Sequence, residues 1–239
     1  RDPYSGWEYE YISHDGRRLK RSSALFAVLA ESGLRWNHID QVLGLAPDHW
    51  REILQLEEPN VLYLGMERCK RIAGLAGFLQ KRNLNTVMDL IITSQNEVLN
   101  LIRILISSGF FKDEFLKRAQ VAIKMMNSVL ATRMGYSLNG MNLLTCMADY
   151  RIPQVFYNLG AVDLTPALRA HLESGKQIVS GSREEVALRA TVIVIGRQLA
   201  EQMLMDEADV DTLLWEYSQV MDKNGQMRIP HMLVATDKY

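Results

Sequence analysis

The chain has 239 residues, of which 48% are hydrophobic and 23% are charged, a composition typical of a globular protein with a buried core. Because 27 Lys and Arg residues balance 28 Asp and Glu residues, the net charge of −1 provides no bulk attraction to nucleic acid or to an anionic membrane. Any anion-binding site must therefore be local.

The first elements predicted along the chain are a hairpin and two helices. Aromatic and polar residues alternate over 7–12, and Asp15-Gly16 is a turn signal before a second polar strand, a pattern that indicates a short β-hairpin. The apolar spacing then becomes helical and ends at Gly33, and Pro47 suits the first position of the next helix.

Helical spacing continues through most of the remaining chain. Apolar periodicity and capping residues predict helices at 62–80, 84–93, 95–108, 113–133, 150–159 and 182–203. A further helix is predicted to start at 166, and the last predicted helix is capped by Asp209 or Asp211. The segment from Asn224 to Tyr239 lacks a period, and we expect it to fold back over the body as an extended tail. The predicted fold is all-α, a single domain over residues 1–239, with a small N-terminal β-hairpin.

The sequence carries no pattern for a disulfide scaffold, a metal site or a membrane span. Cys69 and Cys146 form no CxxC pair, and the five histidines lack metal-ligand spacing. No apolar run approaches the roughly 20 residues that span a bilayer, and no signal-peptide pattern opens the chain. We therefore expect a cytoplasmic protein that uses no metal and no cofactor. Because the first residue is Arg1 rather than Met, we also expect that an N-terminal segment is lacking.

Four polar side chains of different types cluster in the segment ADYRIPQ at 148–154, beside a proline that restricts the backbone. The structural interpretation is a helix cap, in which Asp149 opens a helix and Arg151 forms a surface ion pair. The functional interpretation is a pocket around Asp149 in which Tyr150, Arg151 and Gln154 contact a ligand.

Two further segments combine charge with helical spacing. In FLKRAQ at 115–120, the adjacent cations Lys117 and Arg118 interrupt an apolar helix, and they form either a solvated face or an anion site. In GSREEVALRA at 181–190, the structural interpretation is a capped helix with a Glu185–Arg189 pair. The start of that helix, with Arg183 beside it, can also hold an anion through its free N–H groups.

These three segments, in this order and spacing, resemble the queuosine salvage protein family, and the similarity extends to Ser23-Ala24-Leu25 and Leu214-Trp215. The resemblance implies a helical fold similar to that of DNA glycosylases. It also implies hydrolysis of the N-glycosidic bond of queuosine 5′-monophosphate, which releases queuine for reuse in transfer RNA. The family's catalytic aspartate corresponds to Asp149, and its substrate-binding lysine corresponds to Lys117.

The expected substrate is a small molecule, with no stable nucleic-acid partner and no membrane partner. Further substrate contacts are expected from the polar and aromatic residues Arg118, Tyr150, Arg151, Gln154, Arg183, Glu185, Trp215 and His231. The tail departs from the family pattern, since only His231, Thr236 and Tyr239 match its basic and aromatic ending. The residues alone leave Asp149 three roles: general base, stabiliser of a sugar cation, or nucleophile.

Two other interpretations stay open at the level of the sequence. In the first, the chain is a non-catalytic helical interaction module, ADYRIPQ is a cap, and the Lys117-Arg118 pair is a solvated face. In the second, the glycosidase acts on another modified nucleoside or on damaged nucleic acid. Neutral charge and the lack of a long basic stripe argue against duplex DNA.

Overall fold

The computed structural model describes residues 9–35, 38–56 and 65–234, and it divides into two compact units, Arg1–Gln95 and Asn96–Tyr239. Helices dominate both units, and the sheet found among the described residues is a two-stranded hairpin, which confirms the predicted fold class. Within the described part of the chain, the helices are all too short or too polar to cross a membrane. That residues 1–239 form one domain stays a prediction.

The first unit opens with the predicted hairpin and continues with helices. Strands β1 (Glu10–Ile12) and β2 (Arg18–Lys20) pair antiparallel, with Tyr11 opposite Leu19. The hydroxyl of the buried Tyr9 donates to the carbonyl of Leu54 at 2.6 Å, which ties the chain before β1 to a helix end. Residues 7 and 8 of the predicted hairpin and residues 62–64 of the predicted helix at 62–80 lie outside the described residues. The helices are α1 (Arg21–Glu31), α2 (Ile39–Leu43), α3 (Pro47–Leu54), α4 (Gly65–Gln80) and α5 (Val87–Thr93).

Among the described residues of the second unit, two apolar clusters form part of the core. The elements of this unit are α6 (Val98–Ser107), α7 (Lys117–Met134), a 3-10 turn (Met141–Leu143), α8 (Ile152–Asn158), α9 (Pro166–Glu173), α10 (Arg183–Met203) and α11 (Glu207–Lys223). One cluster joins α8, α10 and α11, and the fully buried Phe156 belongs to it. Where α10 passes Cys146, a Cβ added to Gly196 would lie 2.3 Å from the Cys146 sulfur, so only glycine fits there.

Several helix boundaries differ from the sequence predictions, among them the starts of α5 and α6, which begin at Val87 and Val98 rather than at 84 and 95. Helix α7 begins at Lys117 rather than at 113, because Leu116 adopts a left-handed conformation (φ 55°) that interrupts the helix. The predicted cap of the last helix is wrong, since α11 begins at Glu207 after the N-cap residue Asp206. Asp211 instead lies inside α11 and faces the interior of the unit.

The tail folds back onto the second unit, as predicted, as far as residue 234. The backbone N–H of Ile178 donates to the carbonyl of Leu233 at 2.8 Å, and Ile178 pairs with Val234 in an isolated parallel bridge. Ile229 and Met232 are buried in the second apolar cluster, together with Ile178. This part of the tail is therefore part of the core, and residues 235–239 lie outside the described residues.

Candidate active site

Asp149 lies in the extended segment between the 3-10 turn and α8. Its Oδ1 accepts the backbone N–H groups of Arg151 and Ile152 at 3.0 Å and 2.9 Å. Asp149 thus caps the start of α8, as the structural interpretation of the sequence predicts. The side chain stays half-buried, and its Oδ2 accepts no hydrogen bond from any residue that the structure describes. Capping of α8 therefore uses one of the two carboxylate oxygens of Asp149.

Lys117 is the first residue of α7, and its half-buried side chain lies within the electrostatic field of Asp149. Burial lowers the pKa of the Lys117 ammonium group, and the positive charge of Arg189 lowers it further. The carboxylates of Asp149, Asp211 and Asp113 act in the opposite direction, and Asp149 has the largest effect of the three. The structure therefore brings together the two residues to which the family resemblance assigns catalysis and substrate binding.

A second carboxylate, Asp211, also faces this region. Its Oδ1 accepts the backbone N–H of Met147 at 2.8 Å, and its Oδ2 lies 3.8 Å from the Lys124 ammonium nitrogen. Burial raises the pKa of Asp211 to about 6; the charge of Asp149 also raises it, while the Met147 N–H and the two lysines lower it. The sequence prediction treated Asp211 only as a helix cap.

The sequence does contain a signal for the inward orientation of Asp211. Asp211, Leu214 and Ser218 recur at helical spacing in α11, and all three are buried. A carboxylate on the apolar face of an amphipathic helix needs a partner inside the fold, because an isolated buried charge is costly. That pattern could have identified Asp211 as a candidate site residue.

Arg189 occupies the centre of a buried polar network beside Asp149. Its Nε donates to the carbonyl of Ala148 at 3.0 Å, Nη1 donates to Glu185 at 3.2 Å, and Nη2 donates to Asp113 at 3.3 Å. The Glu185–Arg189 pair predicted from the sequence is present, but both side chains are buried rather than exposed on the helix surface. Sequence reasoning missed Asp113, since its partner Arg189 is 76 residues away.

Tyr150 and Glu185, both predicted to bind substrate, belong to the same network. The Tyr150 hydroxyl donates to Glu185 Oε1 at 2.7 Å. The other oxygen of Glu185 accepts the backbone N–H of Gly181 at 3.3 Å. Glu185 thus has protein partners for both oxygens, and contacts of Glu185 or Tyr150 with substrate stay predictions.

Gln154 connects α8 to the returning tail. The side chain is 1% exposed, and its Nε2 donates to the carbonyl of Ile229 at 3.0 Å. Its Oε1 lies 3.3 Å from Nδ1 of His231, whose ring is exposed. Gln154 therefore positions the tail residue that was predicted to bind substrate.

The side chains of the remaining predicted residues have other surroundings. Arg151 pairs with Asp222 at 3.2 Å, and Arg118 is half-buried and donates from Nη2 to the carbonyl of Lys112 at 3.2 Å. Arg183 is exposed in the first turn of α10, and Trp215 is 50% exposed on α11. Their contacts with substrate stay predictions.

Among the described residues, no group of three or more His, Cys, Asp or Glu side chains could hold a metal ion. The site offers instead a carboxylate with one oxygen fixed by the backbone, a nearby ammonium group, and a second carboxylate whose burial raises its pKa. Groups of this kind can stabilise a developing cation, bind an anion and transfer a proton.

Comparison with known proteins gives a consistent result. The model of the queuosine salvage protein family matches residues 22–236. Three relatives, each named queuosine 5′-phosphate N-glycosylase/hydrolase, come from Sphaerobacter thermophilus, Nematostella vectensis and Mus musculus.

The first relative is 34% identical over 110 residues, which are 44% of this chain and 34% of the relative. The second is 24% identical over 201 residues, which are 79% of this chain and 58% of the relative. The third is 26% identical over 117 residues, which are 44% of this chain and 35% of the relative. The matched segments thus span between about a third and three fifths of these relatives' lengths. Because the family model covers nearly the whole sequence, the chain belongs to the queuosine salvage protein family.

Proposed function

We propose that this protein hydrolyses the N-glycosidic bond of queuosine 5′-monophosphate and releases queuine. Water adds its oxygen to C1′ of the ribose and its proton to the base nitrogen, so the other product is ribose 5-phosphate. The observation that carries the proposal is the half-buried Asp149, with one oxygen fixed by two backbone N–H groups and with Lys117 in its electrostatic field. Membership of the family, with relatives named for this activity, supports the same substrate.

Asp149 is the proposed catalytic residue. Breaking the bond between C1′ and the base nitrogen builds positive charge on the sugar, and a carboxylate next to C1′ lowers the energy of that transition state. The hydrogen bonds to Oδ1 fix the orientation of the carboxylate before substrate arrives, so little reorganisation accompanies the reaction. Oδ2 is then the oxygen that faces the sugar.

Lys117 is the proposed ligand of the 5′-phosphate. The Lys117 side chain is half-buried, so it meets weaker competition from water than an exposed lysine does. A charge-assisted hydrogen bond between an ammonium group and a phosphate oxygen contributes about 1.5–3 kcal/mol. This contact selects the nucleotide over the nucleoside.

Asp211 is the proposed proton donor to the departing base. Queuine is a 7-deazapurine, a poor leaving group as an anion, so its release needs a proton or a strong hydrogen bond. Because burial raises the pKa of Asp211 to about 6, a fraction of this carboxyl group stays protonated near neutral pH. Asp149 and Asp211 would then form a pair of carboxyl groups whose different environments give them different roles.

The test is release of free queuine, measured by chromatography with mass detection, for the wild type, Asp149→Asn and the control Asp163→Asn. Asparagine at 149 keeps an oxygen for the two N–H groups, so α8 stays capped and the variant folds. Asp163 is a surface residue whose side chain is 90% exposed.

We expect release by the wild type and by the control, and a loss of at least about 1,000-fold in Asp149→Asn, on the scale of removing a main electrostatic stabiliser. Full activity in Asp149→Asn would overturn the assignment. A panel of other nucleosides, nucleotides and oligonucleotides separates this substrate from the alternatives: cleavage of those substrates without cleavage of queuosine 5′-monophosphate would contradict the proposal.

A further inference from the structure

The start of α7 is held by a residue outside the helix. Leu116, in the N-cap position, has a left-handed backbone, and no side-chain cap bond comes from it. Asp113 supplies the cap: its Oδ1 accepts the N–H groups of Phe115 and Lys117, and its Oδ2 accepts the N–H of Arg118, each at 3.1 Å. One buried carboxylate therefore fixes the backbone from which the Lys117 side chain extends.

The partner of Asp113 is Arg189, which reaches the Asp149 segment at the same time. Nη2 of Arg189 lies 3.3 Å from Oδ1 of Asp113, and Nε donates to the carbonyl of Ala148 at 3.0 Å. Arg189 is 1% exposed, and its guanidinium carbon lies 4.7 Å from the centre of the Phe115 ring. A single planar group thus connects the backbone of Lys117 to the residue before Asp149.

We propose that Arg189 and Asp113 are positioning residues that fix Lys117 relative to Asp149 and thereby set the preference for a phosphorylated substrate. This inference rests on the proposed function. A planar guanidinium group can donate in three fixed directions, to Ala148, Glu185 and Asp113, whereas an ammonium group is a point charge that cannot reproduce that geometry. The link that Arg189 makes between Asp113 and Ala148 therefore depends on the shape of the guanidinium group, not only on its positive charge.

A purely structural role for the pair is the competing explanation. Replacing one partner of a buried ion pair by a neutral residue strongly destabilises a protein, so a simple loss of activity would prove nothing. Arg189→Lys keeps a positive charge between Asp113 and Glu185, and it removes the forked donor that reaches Ala148. Arg197→Lys is the matched control on the same helix, because Arg197 is exposed and pairs only with Glu201 among the described residues.

The first measurement is kcat/KM of each variant for queuosine 5′-monophosphate and for the unphosphorylated nucleoside. Partial unfolding lowers both values by the same factor and leaves their ratio unchanged, so the ratio reports geometry alone. For Arg189→Lys we expect kcat/KM on the nucleotide to fall by about 100-fold, the effect of roughly 1 Å of misplacement. We expect the ratio of kcat/KM for the nucleotide to kcat/KM for the nucleoside to fall by about tenfold, which corresponds to losing most of the free energy of one charge-assisted contact. An unchanged ratio overturns the proposal.

The second measurement is amide hydrogen exchange of the full chain, and it needs no substrate. In Arg189→Lys, exchange should become faster both at 115–118 and at 148–152, whereas Arg197→Lys should match the wild type. Protection of either segment at the wild-type level overturns the proposed connection. Asp113→Glu provides a second variant, since it keeps the negative charge that faces Arg189 and moves the carboxylate away from the three N–H groups, and it should speed exchange in both segments. If the wild type releases no queuine, the proposed function fails, and the exchange result alone decides whether the connection exists.

Discussion

Two aspartates of the second unit have different environments. Asp149 is half-buried and accepts two N–H groups at a helix start, whereas Asp211 is buried inside α11 and has a pKa raised to about 6. The motif ADYRIPQ identifies Asp149 in the sequence, because several polar groups cluster in a short segment. Nothing in the linear sequence places Asp211 near it, since the two residues meet only through the packing of α11 against the segment before α8.

The role of Lys117 is tested by Lys117→Met, which keeps the volume of the side chain and removes its charge. We expect KM for queuosine 5′-monophosphate to rise by about 10- to 100-fold, the equivalent of one charge-assisted contact. The nucleoside should show little change. Steady-state kinetics on both substrates measures the effect, and Lys112→Met, at an exposed position, is the control. An equal loss on nucleoside and nucleotide would contradict phosphate binding by Lys117.

Asp211 should make stability depend on pH in a defined direction. Its pKa is about 6 in the folded state against 3.8 as the ordinary value, so the folded state binds the proton more tightly. Stability therefore falls as pH rises from about 4 to 6, and above pH 6 the buried charge costs on the order of 3 kcal/mol. Asp211→Asn carries no charge at any pH and should gain free energy of unfolding relative to the wild type across this window.

Urea unfolding of both proteins between pH 4 and 7.5 measures this difference. All other titrating groups are common to the two proteins, so the difference isolates Asp211. A difference that stays constant over the whole pH range would show that Asp211 is not perturbed.

At the scale of elements, local signals predicted helices better than they predicted where the helices begin. Ser182 was correctly predicted to open α10, because its side chain accepts the N–H of Glu185 three residues later, an interaction within one turn. Helix α7 begins later than its apolar spacing predicts, since its cap depends on Asp113. The carboxylate of Asp113 is in turn held by Arg189 from α10, a contact that no local pattern contains.

Helix α10 approaches Cys146 closely at Gly196. Gly196→Ala places a methyl group 2.3 Å from the Cys146 sulfur, so the helix must shift, and we expect a loss of about 1–3 kcal/mol. Gly77→Ala in α4 is the control: its added methyl group meets Leu43 at an ordinary 3.7 Å. There, alanine should be neutral or stabilising by up to about 1 kcal/mol, because it favours the helix.

Thermal unfolding of the two alanine variants measures these effects. Cys146→Gly removes the colliding atoms and should recover part of the loss when combined with Gly196→Ala, which a double-mutant cycle detects as coupling. Equal effects of alanine at 77 and at 196 would show that α10 and Cys146 do not approach as closely as described.

At the scale of the whole molecule, composition and periodicity predicted an all-α fold with a small hairpin, and the structure confirms it. The return of the tail was also predictable in outline, since residues 224–239 lack a helical period. Its path was not, because it depends on the bond from Gln154 to the carbonyl of Ile229 and on burial of Ile229 beside Ile178. Such contacts depend on the shape of the packed surface rather than on any local pattern.

Ile229→Ala tests whether the tail belongs to the core of the second unit. Ile229 is 1% exposed, so we expect the free energy of unfolding to fall by about 2–5 kcal/mol. Val179→Ala, at a residue that is 73% exposed, should change it by less than about 0.5 kcal/mol. Denaturant unfolding followed by circular dichroism compares the two, and equal small effects would show that the tail contributes no core packing.

The proposed roles of Asp149 and Lys117 are tested most directly by a crystal structure of Asp149→Asn with queuosine 5′-monophosphate bound. We expect C1′ of the ribose to lie within about 3.5 Å of the substituted side chain at position 149, the distance of a near-attack arrangement. The 5′-phosphate should lie within hydrogen-bond distance of Lys117. A nucleotide bound away from residue 149, or one whose phosphate contacts other side chains while Lys117 faces solvent, would contradict these roles.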